Sequence, residues 1–249
     1  MREDKDDAVS TVIALVLILA ILATCIAIYS ATYVPGLKQQ AEIAHSEEVK
    51  YAFERFSADV DNIYSLGKVA QFTEPLPLGG GNVLLSPVRS SGTIEIGDPV
   101  EVAALYVAGT PTPIRRVNVT YMPSYSSWEL QGYRWENGVV WVTKGAKETP
   151  ASLLVRTIGD GKDKERGIVN ESLSKMSKDL VVISMDKEES SSITGTGIAK
   201  LRLNAVELEP IPVSAGQSVE IVSSGGGGGY PLPSGDYTIR HLSIGVSVE

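Results

Sequence analysis

An apolar run opens the chain. From Ala8 to Leu37 the sequence contains no charged residue, and Ile, Leu, Val and Ala dominate it. The run of about 30 residues exceeds the roughly 20 that a helix needs to cross a bilayer, and the apolar core of about 7–15 residues in a secretory signal. Because lipid leaves backbone polar groups without partners, we expect a helix that spans a membrane or packs against other helices. A buried core helix is disfavoured, since the segment is apolar all round.

A different pattern follows Pro35-Gly36. Apolar residues now recur at helical spacing, which predicts an amphipathic helix with one buried stripe. This stripe comprises Val49, Phe53, Phe56, Val60, Ile63 and Leu66. We predict that it packs against the domain that follows; a coiled coil with a partner is the alternative.

Pro35 and Gly36 mark the junction between the two segments. Proline lacks a helix donor, so we expect a kink or a short break there. Gly67 is predicted to cap the helix in the left-handed conformation. The domain organisation is then a charged segment at 1–7, a transmembrane helix at 8–36, an amphipathic helix at 37–67 and a β-rich domain at 68–249.

Short alternating runs separated by turn residues fill the rest of the chain. Asn137-Gly138, between two such runs, is the strongest hairpin signal. The fold class predicted is α+β: a long N-terminal helix followed by a mainly antiparallel, β-sandwich-like domain. The Gly225–Gly229 run is predicted to be a loop. Strands are expected near 93–96, 100–107, 114–121, 128–135, 139–143, 152–157, 180–185, 197–208, 217–223 and 237–248, with a short helix near 170–178.

Charge and cysteine content narrow the function classes. The formal net charge is -8, which argues against nucleic-acid binding because such proteins need a basic face. The one cysteine, Cys25, lies inside the apolar run. A disulfide within the chain and a thiolate metal site are therefore excluded.

Candidate chemistry is sparse. His45 and His241 have no partners at metal-ligand spacing, and we interpret them as structural. The sequence lacks a nucleophile elbow, a zinc-protease motif and a phosphate loop. The charged turn at 160–165 is interpreted as a solvated loop, with a weak calcium site as the alternative. We predict no cofactor and no enzymatic activity; an active site assembled from distant carboxylates is the alternative.

Aromatic residues and two glycosylation sequons complete the candidates. We interpret the aromatic residues around the predicted hairpin as packing residues, with a sugar-stacking platform as the alternative. They are Trp128, Tyr133, Trp135 and Trp141. Asn118 and Asn170 each begin an Asn-x-Ser/Thr sequon, so they are candidate N-glycosylation sites if the β-rich domain is extracellular.

The start of the apolar run resembles that of archaeal type IV pilin-like proteins. The residues that carry the resemblance are Ala8-Val9-Ser10-Thr11-Val12-Ile13-Ala14, which follow Asp6-Asp7. The resemblance implies a class III signal peptide, with a leader at 1–7 that a membrane prepilin peptidase removes by cutting between Asp7 and Ala8. It also implies an external C-terminal domain, with the apolar helix in the membrane or in the core of a filament of this or other pilin-like subunits.

Two other uses of the apolar run stay open. A single-pass anchor could carry an extracellular binding or cell-envelope domain that forms no filament. Alternatively, the stretch ending in Cys25 faintly resembles a lipobox, which would make the protein a lipoprotein.

Overall fold

The computed structural model of the chain describes residues 3–80, 83, 89–151, 173–176, 179–224, 230–232 and 235–249. One helix, α1, spans Glu3–Leu66 and contains Pro35 without interruption. The expected break at Pro35-Gly36 is therefore absent, while the kink there stays a prediction. Gly67 ends the helix as predicted, since its φ is 56° and its N–H donates to the Ile63 carbonyl at 2.9 Å.

The two halves of α1 have opposite surroundings. Every residue from 11 to 29 is exposed, whereas Phe53, Phe56 and Ile63 are fully buried. The predicted amphipathic stripe is thus confirmed over most of its length. Leu66 is the exception, because it is 51% exposed at the helix end. The burial supplies the stability that so long an amphipathic helix needs.

Sixteen β-strands lie within the described residues. They are β1 Gln71–Pro77, β2 Ser91–Ile96, β3 Val100–Val107, β4 Thr110–Arg116, β5 Val119–Ser124, β6 Gln131–Glu136, β7 Val139–Lys144, β8 Lys147–Pro150, β9 Leu173–Met176, β10 Asp179–Lys187, β11 Ser192–Gly195, β12 Ile198–Glu207, β13 Ile211–Val213, β14 Val219–Ser223, β15 Tyr230–Pro231 and β16 Tyr237–Val248.

These strands form three sheets. The first sheet has the order β1-β12-β16-β10-β9, and β13 also pairs with β16. The second has the order β11-β2-β5-β6-β7-β8, and the third β15-β14-β3-β4. Among the described strands, the parallel pair is β10 with β16; the others pair antiparallel. The predicted α+β class is confirmed, and the description as a sandwich stays a prediction.

The first sheet contributes to two hydrophobic clusters. Val181, Ile183 and Met185 of β10 join the larger cluster, which also contains the buried stripe of α1 and residues of the second sheet. Val182, on the opposite face of the same strand, joins a smaller cluster with residues of the third sheet. Alternation along one strand therefore places apolar side chains on both faces of the first sheet.

The predicted hairpin is confirmed at Asn137-Gly138. Both residues have positive φ, 51° and 78°, and Glu136 pairs with Val139 across the turn. Type I′ turns require this conformation at both central positions. Val100–Val107 and Tyr237–Val248 also match the predicted strands at both ends.

Other sequence predictions need correction. The run 114–121 is two strands, β4 and β5, separated at Val117-Asn118. Leu173–Met176 is a strand paired with β10, where a short helix was predicted. The predicted strand at 152–157 and the glycine run at 225–229 lie outside the described residues.

Candidate functional site

Residues 11–29 of α1 present an exposed apolar surface. Leu15, Ile18 and Leu22 are between 53% and 58% exposed. The hydroxyl of Thr24 donates a hydrogen bond to the Ala20 carbonyl of the same helix at 2.8 Å. Among the described residues, α1 is the one helix long and apolar enough to cross a membrane. All residues from 11 to 29 are exposed, and none of the apolar window in this helix is buried within the described residues.

The first contacts with the β-rich domain begin one or two turns later. Val34 is the first buried side chain among the described residues of the helix, at 7% exposed. Just before it, Tyr29 and Tyr33 stack on the exposed surface of the helix, with ring centroids 5.8 Å apart. The next buried side chains on α1 are polar: Lys38, Glu42, His45 and Ser46. We call these four residues and their hydrogen-bond partners the polar junction.

Glu42 is the most heavily bonded member of the polar junction. Its Oε1 accepts hydrogen bonds from Ser90 Oγ at 2.6 Å and from the Ser126 N–H at 3.0 Å, and its Oε2 accepts one from the Ser127 N–H at 2.9 Å. Burial alone would raise the pKa of this carboxyl. The hydrogen bonds, helped by the charge of Lys38, outweigh burial and hold the pKa below its ordinary value of 4.5.

His45 occupies the next turn. Its Nε2 lies 3.1 Å from the Pro77 carbonyl oxygen, and its Nδ1 lies 2.8 Å from Tyr125 Oη. Because a carbonyl can only accept, Nε2–H donates to Pro77 and Nδ1 accepts from the tyrosine hydroxyl. Burial lowers the pKa of the imidazole, against the opposing charges of Glu48 and Glu42, so the ring is neutral at pH 7. Burial also raises the pKa of the Tyr125 phenol, which remains a donor.

Ser46 extends the junction to the second sheet. Its Oγ lies 3.0 Å from Tyr133 Oη, which also receives a 2.7 Å hydrogen bond from Gln131 Nε2. Further along α1, after Ser46, the contacts with the β-rich domain are aromatic. Phe53 packs against Tyr133, and Phe56 meets Trp135 edge to face at 5.2 Å. Polar and aromatic contacts together fix α1 against the β-rich domain along its second half.

The sequence-predicted site residues do not come together. Asp7 and Ala8 lie within α1, and Pro35 and Gly36 lie between the exposed and buried halves of the same helix. Asn118 lies between β4 and β5, where its amide packs so closely on Gly97 that a Cβ there would overlap it. Asn170 and the charged turn at 160–165 lie outside the described residues.

The polar junction was missed by the sequence reasoning, although a signal for it exists. Counting back from Val49 by three, four and seven positions reaches Ser46, His45 and Glu42. These positions continue the apolar stripe on the same helix face. Polar residues on the buried face of a helix indicate hydrogen-bond partners elsewhere in the chain.

The hydrogen bonds of the polar junction serve to attach α1 to the β-rich domain. Glu42 is ionised, and both of its carboxylate oxygens accept hydrogen bonds. Both ring nitrogens of His45 also make hydrogen bonds. Within the described residues, no group of three or more His, Cys, Asp or Glu side chains could hold a metal ion. Trp135 and Tyr133 are core residues, as the packing interpretation predicted.

No protein-family model, no curated protein and no solved structure matches this chain.

Proposed function

We propose that the protein is a pilin-like structural protein of the archaeal cell surface. Its apolar helix segment anchors it in the membrane before assembly and packs in the core of a filament afterwards. The β-rich domain lies outside the cell. One observation carries the proposal: a single helix, α1, has an exposed segment without charge at residues 11–29 and a second half built into the domain core.

The physical argument starts from the exposed surface. Burying apolar surface contributes roughly 25 cal/mol per Å², so a helix with large exposed aliphatic side chains needs lipid or other helices around it. The run from Ala8 to Leu37 is long enough for a bilayer and carries no charge that would oppose either environment. The polar junction then fixes the domain to the same helix.

The resemblance of Ala8–Ala14 to pilin-like proteins supplies processing and orientation. It supports cleavage by a prepilin peptidase between Asp7 and Ala8, with the C-terminal domain outside. A single-pass membrane-anchored surface domain that forms no filament is the second candidate. The same exposed helix supports it, because one span suffices for an anchor.

The N-terminus of the mature protein tests the first proposal. We would measure intact mass and N-terminal peptides of the chain purified from its native membrane. A chain beginning at Ala8 is the expected result. A chain that retains Asp7 would contradict prepilin-type processing, and a lipid-modified Cys25 would establish a lipoprotein instead. A Cys25→Ala variant is the control, since pilin-type processing does not need the thiol.

Filament formation separates the two candidates. Shearing cells and sedimenting the supernatant should recover the protein in filaments visible by electron microscopy if it polymerises. Recovery only by detergent, as a particle of one chain, would support the anchored domain. Both outcomes require the apolar segment, so the distinction rests on the assembly state alone.

A further inference from the structure

A cleft of about 290 Å³ lies beside the polar junction, between α1 and the second sheet. The helix supplies Ser46, Glu47 and Tyr51, and the β-rich domain supplies Trp128, Gln131 and Tyr133. Tyr51 is 56% exposed and Trp128 is half-buried, so aromatic surface faces solvent here. The volume is near the lower end of small-molecule sites, which span roughly 300–1,000 Å³.

The base of the cleft is buried and already ordered. Ser46 is 4% exposed and Tyr133 is 1% exposed, and their hydroxyl oxygens lie 3.0 Å apart. Gln131 Nε2 donates to Tyr133 Oη at 2.7 Å, which holds the amide side chain in one orientation. Such a base needs little reorganisation when a ligand binds.

The polar junction also positions the aromatic wall. Glu42 accepts hydrogen bonds from the Ser126 and Ser127 N–H groups, and Trp128 is the next residue along the chain. A buried carboxylate on α1 therefore holds the loop that carries the indole. The backbone that leads into Trp128 is thus held by contacts that the tryptophan does not itself make.

We propose that this cleft binds a saccharide, with one sugar ring against Trp128. The apolar C–H face of a pyranose packs on an aromatic ring, and its hydroxyl groups need both donors and acceptors at the edge. Glu47 and the carboxamide oxygen of Gln131 supply acceptors. The Tyr51 hydroxyl and the Lys50 ammonium, which also line the cleft, supply donors. This inference is independent of filament formation.

Other ligand classes fit the cleft less well. A peptide that adds a strand needs a free sheet edge, but β6 pairs with β5 on one side and β7 on the other. An extended apolar ligand needs a larger and less polar cavity. A cation held by aromatic rings is opposed by Lys50, which also lines the cleft.

The test uses the full chain in a detergent without a sugar head group. Saturation-transfer NMR would screen glucose, galactose, mannose, N-acetylglucosamine, N-acetylgalactosamine and their disaccharides, with glycerol and a Ser-Gly-Ser peptide as non-saccharide probes. We expect saturable binding of at least one saccharide, with transfer strongest to the ring C–H protons. Binding of no saccharide, or equal binding of the peptide, would overturn the proposal.

Variants locate the binding. Trp128→Ala should weaken the affinity by about tenfold, as expected when a stacked aromatic ring is removed. Glu47→Ala, at an exposed helix position, should weaken it without affecting the core. Trp141→Ala is the matched control, because Trp141 lies on β7 outside the cleft lining. Unchanged affinity in both cleft variants would place the binding elsewhere and refute this site.

Discussion

Glu42 on the helix accepts a 2.9 Å hydrogen bond from the backbone N–H of Ser127, a residue 85 positions later in the chain. Glu42 is 0% exposed, and its carboxylate also binds Ser90 and Ser126. The backbone N–H groups of Ser126 and Ser127 can bond to another acceptor only if their loop moves. The Glu42 carboxylate therefore determines where this loop lies. The polar junction is thus a specific attachment between α1 and the β-rich domain.

Glu42→Gln should destabilise the β-rich domain by about 1.5–3 kcal/mol, the range for buried hydrogen bonds to a charged group. The glutamine amide has nearly the same shape as the carboxylate. Its NH₂ group, however, would face N–H and O–H groups whose hydrogen bonds the carboxylate oxygens accepted. Urea unfolding of the full chain in detergent, followed by tryptophan fluorescence, measures the effect. Glu48→Gln on the exposed face of the same helix should leave the unfolding midpoint unchanged. Equal midpoints for the Glu42 variant and the wild type would contradict the assignment.

Acidification should weaken the domain in two steps. Burial lowers the pKa of His45 and of His241 below the ordinary value of 6.5, so the unfolded chain binds more protons than the folded one. Stability is therefore full above about pH 6.5 and falls as the pH drops toward the folded pKa values. The lowered pKa of Glu42 adds a second loss below its ordinary value of 4.5.

The first step is measurable between pH 8 and pH 5.5. The urea midpoint of the wild type should fall across this range, and His45→Gln should show a smaller fall because one of the two groups is gone. His241→Gln serves as the parallel variant in the first sheet. A midpoint that stays constant from pH 8 to pH 5.5 would show that the histidines do not contribute in this way.

Gly80→Ala should destabilise the contact between the helix and the chain beyond β1. A Cβ at Gly80 would lie 2.8 Å from both Cβ and Cδ2 of His45, and the imidazole is held on both nitrogens. Overpacking of this kind costs about 1–3 kcal/mol. Gly197→Ala is the control, since a Cβ there meets nothing within 4 Å. The unfolding midpoints of the two variants should differ; identical midpoints would mean that His45 can shift freely.

Leu19→Arg should separate anchoring from folding. Leu19 is 57% exposed in the middle of the apolar run, and an arginine at a bilayer centre costs about 2.5–3.5 kcal/mol on insertion scales. We expect reduced membrane association in flotation assays, with the urea midpoint of the β-rich domain unchanged. Val100→Arg, at an exposed position on β3, should leave flotation unaffected. Retention of the Leu19 variant in the membrane at wild-type level would argue against a span in this segment.

Local sequence signals predicted much of the fold. The apolar stripe of α1, its glycine cap and the Asn137-Gly138 hairpin each appear in the spacing or identity of residues a few positions apart, which a linear pattern records. β1 escaped prediction because Pro75 and Pro77 suggest a loop. Both are tolerated there because β1 is an edge strand, paired with β12 alone among the described strands.

Long-range contacts explain what the sequence did not show. The donors to Glu42 lie 48 to 85 positions away, so no local pattern indicates that its carboxylate is buried and satisfied. The cleft has the same origin, because Tyr51 and Trp128 line one cavity only once α1 lies on the second sheet. The continued helix face from Val49 to Glu42 could have identified the junction, but not its partners.

The central position of β16 sets an order of events during synthesis. This strand lies between β12 and β10 in the first sheet and is made after every other described strand. Until it arrives, β12 and β10 lack their common neighbour, and the cluster around Phe53 and Phe56 lacks Leu242 and Ile244. The apolar half of α1 leaves the ribosome long before that cluster can close. The apolar segment is therefore available first for the proposed contacts with lipid or other helices, and the β-rich domain completes its core last.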